Sequence, residues 1–351
     1  MTLDMEALHA LDSLPAPRDE AELEERLSRP SPSLASTLSR VAGDLVILGA
    51  GGKMGPTLAR MAKRADPDRR VIAVSRWSDA SAADALRRQG VETARVDLLD
   101  AASRAALPDA PNVVFMAGQK FGTNGSPATT WAMNAGVPSY VAERYAGCRT
   151  VVFSTGNVYA LTAPESGGSR EDDAPAPIGE YAFSCLARER LFTAASARFS
   201  TPVSIVRLNY AHDLRYGVLT DLAVKIMSSA PIDLRMSSVN VIWQGDANAR
   251  ALAALARATS PDPYVVNVAG ETVLHVEELA RALGERLGRV PQFSGEPAPD
   301  ALLSNALRMH ELLEDALLPV DTLLDWVAEW VRRGGRLLGK PTSFERRDGQ
   351  F

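Results

Sequence analysis

The sequence predicts an α/β protein built on a doubly wound parallel sheet, with a smaller lobe after it and a helical extension before it. Strand-length apolar runs alternate with segments of helical spacing from Asp44 onward, a glycine-rich turn follows the first run, and the alternation loosens after about residue 210. Residues 1–43 read as an N-terminal helical extension, in which Pro15, Pro17, Pro30 and Pro32 punctuate one helix around Asp19 to Leu27 and another around Leu34 to Val41. It serves either as a docking arm or as a decoration packed on the core. The runs Leu45 to Leu48, Val71 to Val74, Val91 to Val96, Val113 to Met116, Val151 to Ser154 and Val203 to Leu208 are expected strands. Between them, Met54, Leu58, Met61 and Ala65 keep helical spacing, as do Trp131, Ala135, Val141 and Tyr145 around an interrupting Pro138. This order implies a parallel sheet covered on both faces.

Residues 211–338 are expected to form mainly a substrate-binding lobe interleaved with the last strands of the sheet domain, residues 44–210. Its elements are a helix over Tyr216 to Met227, a strand over Val239 to Trp243, a helix over Asn248 to Ala258, a strand over Tyr264 to Val268 and a helix over Val276 to Leu287. Leu323 to Leu338 reads as a closing amphipathic helix, with Trp326 and Trp330 as core contacts. Residues 339–351 are polar and read as a flexible tail.

Composition narrows the function. The 351 residues are 46% apolar and 23% charged, and mean hydropathy is −0.08, as in an ordinary globular protein. Lys and Arg number 38 against 43 Asp and Glu, a net charge of −5 and a pI near 5.6, which speaks against nucleic acid as a partner. Cys148 and Cys185 provide neither a disulfide framework nor CxxC spacing, and the acidic first residues do not read as a signal peptide, so a reducing cytoplasm is expected. No apolar run is long enough for a membrane span, and the scattered histidines give no metal-ligand spacing.

The segment Gly49-Ala-Gly51-Gly52-Lys53-Met54-Gly55 lies between the first strand and the first helix of the sheet domain. Glycines there allow positive φ and close backbone approach, while free N–H groups and the helix dipole stabilise a pyrophosphate. This is the turn of a Rossmann-type dinucleotide domain. A P-loop does not fit, because Lys53 is followed by Met54. The second strand runs into Ser75-Arg76, with no acid at the position that would grip a ribose hydroxyl. Arg76 can pair with a 2′-phosphate, so NAD(P) is the expected cofactor with NADP favoured over NAD; the alternative is an exposed Arg76 and NAD held by neighbours such as Asp79.

With Gly49, Gly52 and Gly55 spaced GxxGxxG, the chain resembles the extended short-chain dehydrogenase/reductase family, which includes the NAD(P)-dependent nucleotide-sugar epimerases and dehydratases. Later landmarks follow in order: Asp97-Leu98 for its adenine contact, Met116-Ala117-Gly118 for the turn near the cofactor, and Ser154-Thr155-Gly156-Asn157-Val158-Tyr159 for its Ser-Ser-x-x-x-Tyr. Glu171-Asp172, Pro177, Tyr181, Glu189, Arg207-Leu208, Asp246 and Asn267-Val268-Ala269-Gly270 continue the agreement, which spans about Asp44 to Gly335. The resemblance implies Thr155 as hydroxyl partner, Tyr181 as acid/base, and Asn157, Tyr159, Asn209, Tyr210 and His212 facing the substrate cleft. It also implies a homodimer formed by helices over about Thr129 to Tyr145 and Tyr181 to Ala197, and a small carbohydrate-type substrate.

One departure bears on mechanism. The family's Tyr-x-x-x-Lys stands here as Tyr181-x-x-x-Cys185. In the family that lysine binds the nicotinamide ribose and lowers the tyrosine pKa; a nearby cation is worth about 1–3 pKa units, each about 1.4 kcal/mol. Lys120, just past the fourth strand, is a candidate replacement or else a solvated loop lysine. Cys185 reads as a small buried cysteine on a helix more readily than as a nucleophile. Arg215 or Arg235 is a candidate partner for an anionic substrate group. Two readings remain: an NAD(P)-dependent oxidoreductase or epimerase/dehydratase acting on a sugar, sugar acid or sugar nucleotide, and a non-catalytic protein that senses a dinucleotide or metabolite.

Overall fold

The computed structural model describes residues 14–350, apart from 121, 123 and 124. Helices α1 (Glu20–Leu27) and α2 (Pro32–Ser39) precede the sheet. Each begins on a side-chain cap: Asp19 accepts from the Glu22 N–H, and Ser31 accepts from the Leu34 N–H ahead of Pro32. Their apolar faces are buried, Leu23 and Leu27 in the core of the lobe and Leu34 and Leu38 against the sheet domain. Within the described residues the extension is therefore a packed decoration; residues 1–13 lie outside them.

The sheet strands are β1 (Leu45–Leu48), β2 (Val71–Ser75), β3 (Glu92–Arg95), β4 (Asn112–Phe115), β5 (Arg149–Thr155), β6 (Val203–Leu208) and β7 (Tyr264–Val268). They form one parallel sheet of seven strands in the order β7-β6-β5-β4-β1-β2-β3. In β1, Leu45 and Ile47 enter one core and Val46 and Leu48 the other, so both faces of the sheet are covered and the run has no polar alternation. The helices that cover it include α3 (Gly55–Ala65), α4 (Ala80–Arg88), α5 (Pro127–Trp131), a π-helical stretch Ala132–Gly136, α6 (Val137–Arg144) and α7 (Gly179–Phe199).

The lobe packs α8 (Val218–Met227), α10 (Val276–Leu287) and α11 (Val320–Arg332) around Leu222, Ile226, Leu283 and Trp326, while α9 (Gln244–Ala253) returns to the sheet domain. Three expectations change. The run Val239 to Trp243 splits into two short strands with different partners, because Asn240 between them turns its amide to the carbonyls of Gly270 (3.0 Å) and Ser304 (2.6 Å). Helix α11 stops at Arg332, where Gly334 takes a positive φ of 73° and Gly335 N–H bonds the Trp330 carbonyl at 2.8 Å.

The third correction concerns the C-terminal segment, expected as a flexible tail. Its described residues are docked: Thr342 donates to Asp221 through its backbone N–H (2.7 Å) and hydroxyl (2.6 Å), Phe344 is buried in the lobe core, and Arg347 donates to the Asp300 carbonyl at 2.7 Å. One buried aromatic and a hydroxyl on a carboxylate suffice to seat a polar stretch.

Candidate active site

A cavity of about 410 Å³ opens at the carboxyl end of the sheet, running from the glycine turn across β4 and β5 to the lobe. Gly49 lies at φ 92°, and a Cβ there would stand 2.5 Å from the Ala117 nitrogen, so only glycine lets the first turn pass β4. At Gly52 an added Cβ would meet nothing closer than the Gly49 carbonyl at 3.4 Å, so this part of the turn faces open cleft. With Gly55 opening α3, the turn is an arrangement able to hold a pyrophosphate. Met54, Met116 and Gly118 line the same space, Ser75 lies against Gly51, and Ala117 is buried behind the turn. Arg76 is exposed at the end of β2, while Asp97 and Leu98 follow β3, Asp97 accepting from the Leu99 N–H at 3.0 Å. These three lie beyond the cavity lining.

Strand β5 ends at Thr155 and helix α7 begins two residues before Tyr181, so both hydroxyls reach the cavity. Thr155 Oγ1 accepts from the backbone N–H (3.2 Å) and side-chain amide (3.0 Å) of Asn157. A hydroxyl with both acceptor sites occupied keeps its proton for a third partner, and Tyr181 lines the same cavity. Tyr181 is nevertheless held well above an ordinary tyrosine pKa, chiefly by burial and further by Cys185, with Arg188 and Thr155 opposing. It is therefore a phenol at neutral pH. Cys185 is 1% exposed, packs against Val158 and Tyr159, and has its thiol pushed up by burial, which removes nucleophilic character.

The cations of the site come from outside the Tyr181-x-x-x-Cys185 motif. Lys120 lines the cavity with its ammonium 5.9 Å from the centre of the Tyr181 ring, and desolvation pulls its pKa down to about 8. Arg188 stands seven residues after Tyr181 on the same face of α7 and lines the cavity while remaining 5% exposed. Its guanidinium donates to the Phe153 carbonyl (2.8 Å) and to Asn134 Oδ1 (3.0 Å), and a Cβ on Gly118 would come within 2.8 Å of its Nη2. Asn134, in the π-helical stretch, also accepts from the Gln119 N–H at 2.8 Å and donates to the Ser184 hydroxyl at 3.0 Å. Sequence reasoning missed Arg188 and Asn134; the i+7 spacing from Tyr181 was the available signal for the first, and none marked the second.

Asn157, Asn209 and Tyr210 line the cavity as expected residues of the substrate cleft. Tyr159 does not. The turn Gly156–Val158 folds it inward, where it is 2% exposed, donates to Asn267 Oδ1 (2.8 Å) and accepts from Arg207 (2.7 Å). Its pKa is pushed up to about 12, mainly by burial. His212 is likewise fully buried rather than facing the cleft. Arg207 also forms a two-pronged pair with Glu189 at 2.8 and 3.1 Å, and Ser154 donates to that carboxylate at 2.5 Å, which ties β5 and β6 to α7. Neither lobe arginine reaches the cavity: Arg215 pairs with Asp213 (2.6 Å) and Glu24 (2.6 Å), and Arg235 with Asp233 (2.5 Å). Among the described residues no cluster of potential ligands holds a metal, and no helix is long and apolar enough to cross a membrane.

A seven-stranded parallel sheet with helices on both faces and a glycine-rich turn after its first strand defines a Rossmann-type α/β fold. Residues 45–211 match the model of the NAD dependent epimerase/dehydratase family. Among solved structures, MoeE5 in complex with UDP-glucose and NAD is 21% identical with a TM-score of 0.67, over 83% of this chain and 99% of that one. UDP-glucuronic acid 4-epimerase from Bacillus cereus, in complex with UDP-glucuronic acid and NAD, is 16% identical with a TM-score of 0.69 over the same shares. A UDP-galactose 4-epimerase structure is 20% identical with a TM-score of 0.66, covering 83% of this chain and 99% of its own. These likenesses establish the shared fold. No curated protein sequence matches the chain.

Proposed function

We propose that the protein is an NAD(P)-dependent oxidoreductase or epimerase/dehydratase acting on a sugar, sugar acid or sugar nucleotide. The observation that carries this reading is that Thr155 and Tyr181 line one cavity together with Gly49 and Gly52 of the glycine turn. The complexes of the similar structures with NAD and UDP-sugars support it.

Gly52, Met54, Met116 and Gly118 would hold the dinucleotide, which when bound supplies a hydride acceptor or donor at the nicotinamide. Thr155 and Tyr181 orient one substrate oxygen between them. Tyr181 starts as a phenol and donates its Oη proton to that oxygen, or accepts one once a cation offsets its burial. Arg188 and Lys120 supply positive charge near the ring in place of the lysine that Cys185 replaces. Asn134 fixes Arg188 through its side-chain oxygen. Arg76, exposed at the end of β2, favours NADP over NAD in this reading. Tyr181→Phe removes the transferable proton, so turnover should fall by at least about 100-fold, the usual worth of one acid/base group. Unchanged turnover would take Tyr181 out of the mechanism.

A second reading is favoured by Cys185 and by the upward shift of Tyr181: a protein that binds dinucleotide or metabolite without turning it over. Tight dinucleotide binding with no reduction by any sugar substrate would support it. A homodimer is part of the first reading, because Trp131 before the π-helical stretch and Ile178 and Phe183 at the start of α7 are exposed apolar groups on neighbouring elements. The fold and chemistry fit a cytoplasmic enzyme.

A further inference from the structure

We infer that the lobe side of the cleft selects a small acid, a sugar-sized molecule bearing a carboxylate or phosphate and not joined to a nucleotide, and that residues 339–350 complete that site through Lys340. This rests on the proposed reading of the cleft as a dinucleotide and substrate site.

The first support is charge. The chain carries more acids than bases, 43 against 38, yet the described residues lining the cavity include Lys53, Lys120, Arg188 and Lys340 and no carboxylate. Arg188 is committed to Phe153 and Asn134. Lys53 rises from the glycine turn but directs its ammonium across the cleft to the lobe, 2.9 Å from the centre of the Tyr216 ring. Desolvation, and then repulsion by Lys120 and Lys340, brings its pKa down to about 7 against the attraction of Asp213 and Asp221. Like charges gathered from the glycine turn, the end of β4 and the C-terminal segment are stabilised by an anion placed among them.

The second support is size. Thr342 walls the cavity beside Lys340 and is latched on Asp221 by two hydrogen bonds at 2.7 and 2.6 Å, with Phe344 buried behind it. Farther along, Gly349 lies against the backbone of Ile178 and Gly179, where α7 begins. A single drug-sized ligand occupies a pocket of about 300–1,000 Å³. A cavity of about 410 Å³, walled on its lobe side by Thr342 and near the low end of that range, matches a monosaccharide beside the reactive end of a dinucleotide better than a second nucleotide.

The test is calorimetric titration of the full chain with glucuronate, glucose 6-phosphate, glucose and UDP-glucuronate, each with and without saturating dinucleotide. Glucuronate or glucose 6-phosphate should bind at least tenfold more tightly than glucose and than UDP-glucuronate. Lys340→Met should weaken the acid about tenfold without altering dinucleotide affinity. Binding at pH 8 should take up protons, seen as a dependence of the heat on buffer ionisation enthalpy, because Lys53 and Lys120 are partly deprotonated there. Equal binding of glucose, binding of neither acid, UDP-glucuronate binding as tight as the free acid, or an unaffected Lys340→Met variant would overturn the inference. Failure of dinucleotide binding alone, with acid binding intact in the arm without it, would instead count against the proposed function.

Discussion

Replacing Glu189 by Gln should cost more stability than an exposed ion pair and should loosen the Thr155 and Tyr181 hydroxyls as it does so. The Glu189 carboxylate is 3% exposed and meets Arg207, 6% exposed, through bonds of 2.8 and 3.1 Å, while Ser154 donates to it at 2.5 Å. Glutamine keeps the shape but loses the charge, and one of its two head atoms becomes a donor facing a donor. Breaking a buried pair from one side leaves an uncompensated charge at a cost of about 3–5 kcal/mol. Exposed pairs such as Arg70–Glu92 are worth about 0–1 kcal/mol. Denaturant unfolding of the two proteins reads the difference directly. Since Ser154 precedes Thr155 and Glu189 shares α7 with Tyr181, the variant should also lose dinucleotide-dependent turnover. A loss below about 1 kcal/mol, the range of an exposed pair, would refute the description of this pair as the clamp between β5, β6 and α7.

Cys185→Lys places a cation one turn from Tyr181 and should lower the Tyr181 titration by about 1–3 pH units, read as tyrosinate difference absorbance against a Tyr181→Phe background. An unmoved titration would contradict the electrostatic account of Tyr181. Stability of the ligand-free chain should rise with pH from about 7, the pKa of Lys53 in the folded chain, toward about 10.4, its value when unfolded, because the unfolded chain binds more protons in that window. The penalty is fully present below about pH 7, and Lys53→Met should flatten the slope in urea unfolding across the window. On the homodimer reading, Trp131→Glu combined with Phe183→Glu should leave the chain sedimenting as a monomer with stability little changed, and a dimer persisting in the double variant would reject this face as its interface.

The interior of the sheet was legible because β1, β2, β4, β5 and β6 carry short apolar runs bounded by turn residues, and burial on both faces removes the alternation that would otherwise be needed, whereas the edge strand β3 is polar and largely uncovered. The glycine turn was legible because Gly49, at φ 92° against Ala117, and Gly55, against the Ala50 backbone, leave no room for a Cβ. Tyr159 was misplaced because one turn of 3-10 helix after Thr155 reverses the side-chain direction, which residue types alone do not encode. Lys340 and Thr342 escaped notice because they sit in a polar stretch whose docking depends on Asp221 and on a pocket for Phe344 built from distant elements. Arg215 and Arg235 were legible as cations but not as partners of Asp213 and Asp233, two residues away, which consume their charge locally.

The central claim is that this cleft binds a nicotinamide dinucleotide beside Thr155 and Tyr181. Calorimetric titration of the purified chain with NADPH and NADH tests it before any substrate is known. The account predicts saturable binding of at least one of them at about micromolar affinity, roughly −8 kcal/mol, with NADPH the tighter and Arg76→Ala erasing its advantage. Binding of neither would contradict the account.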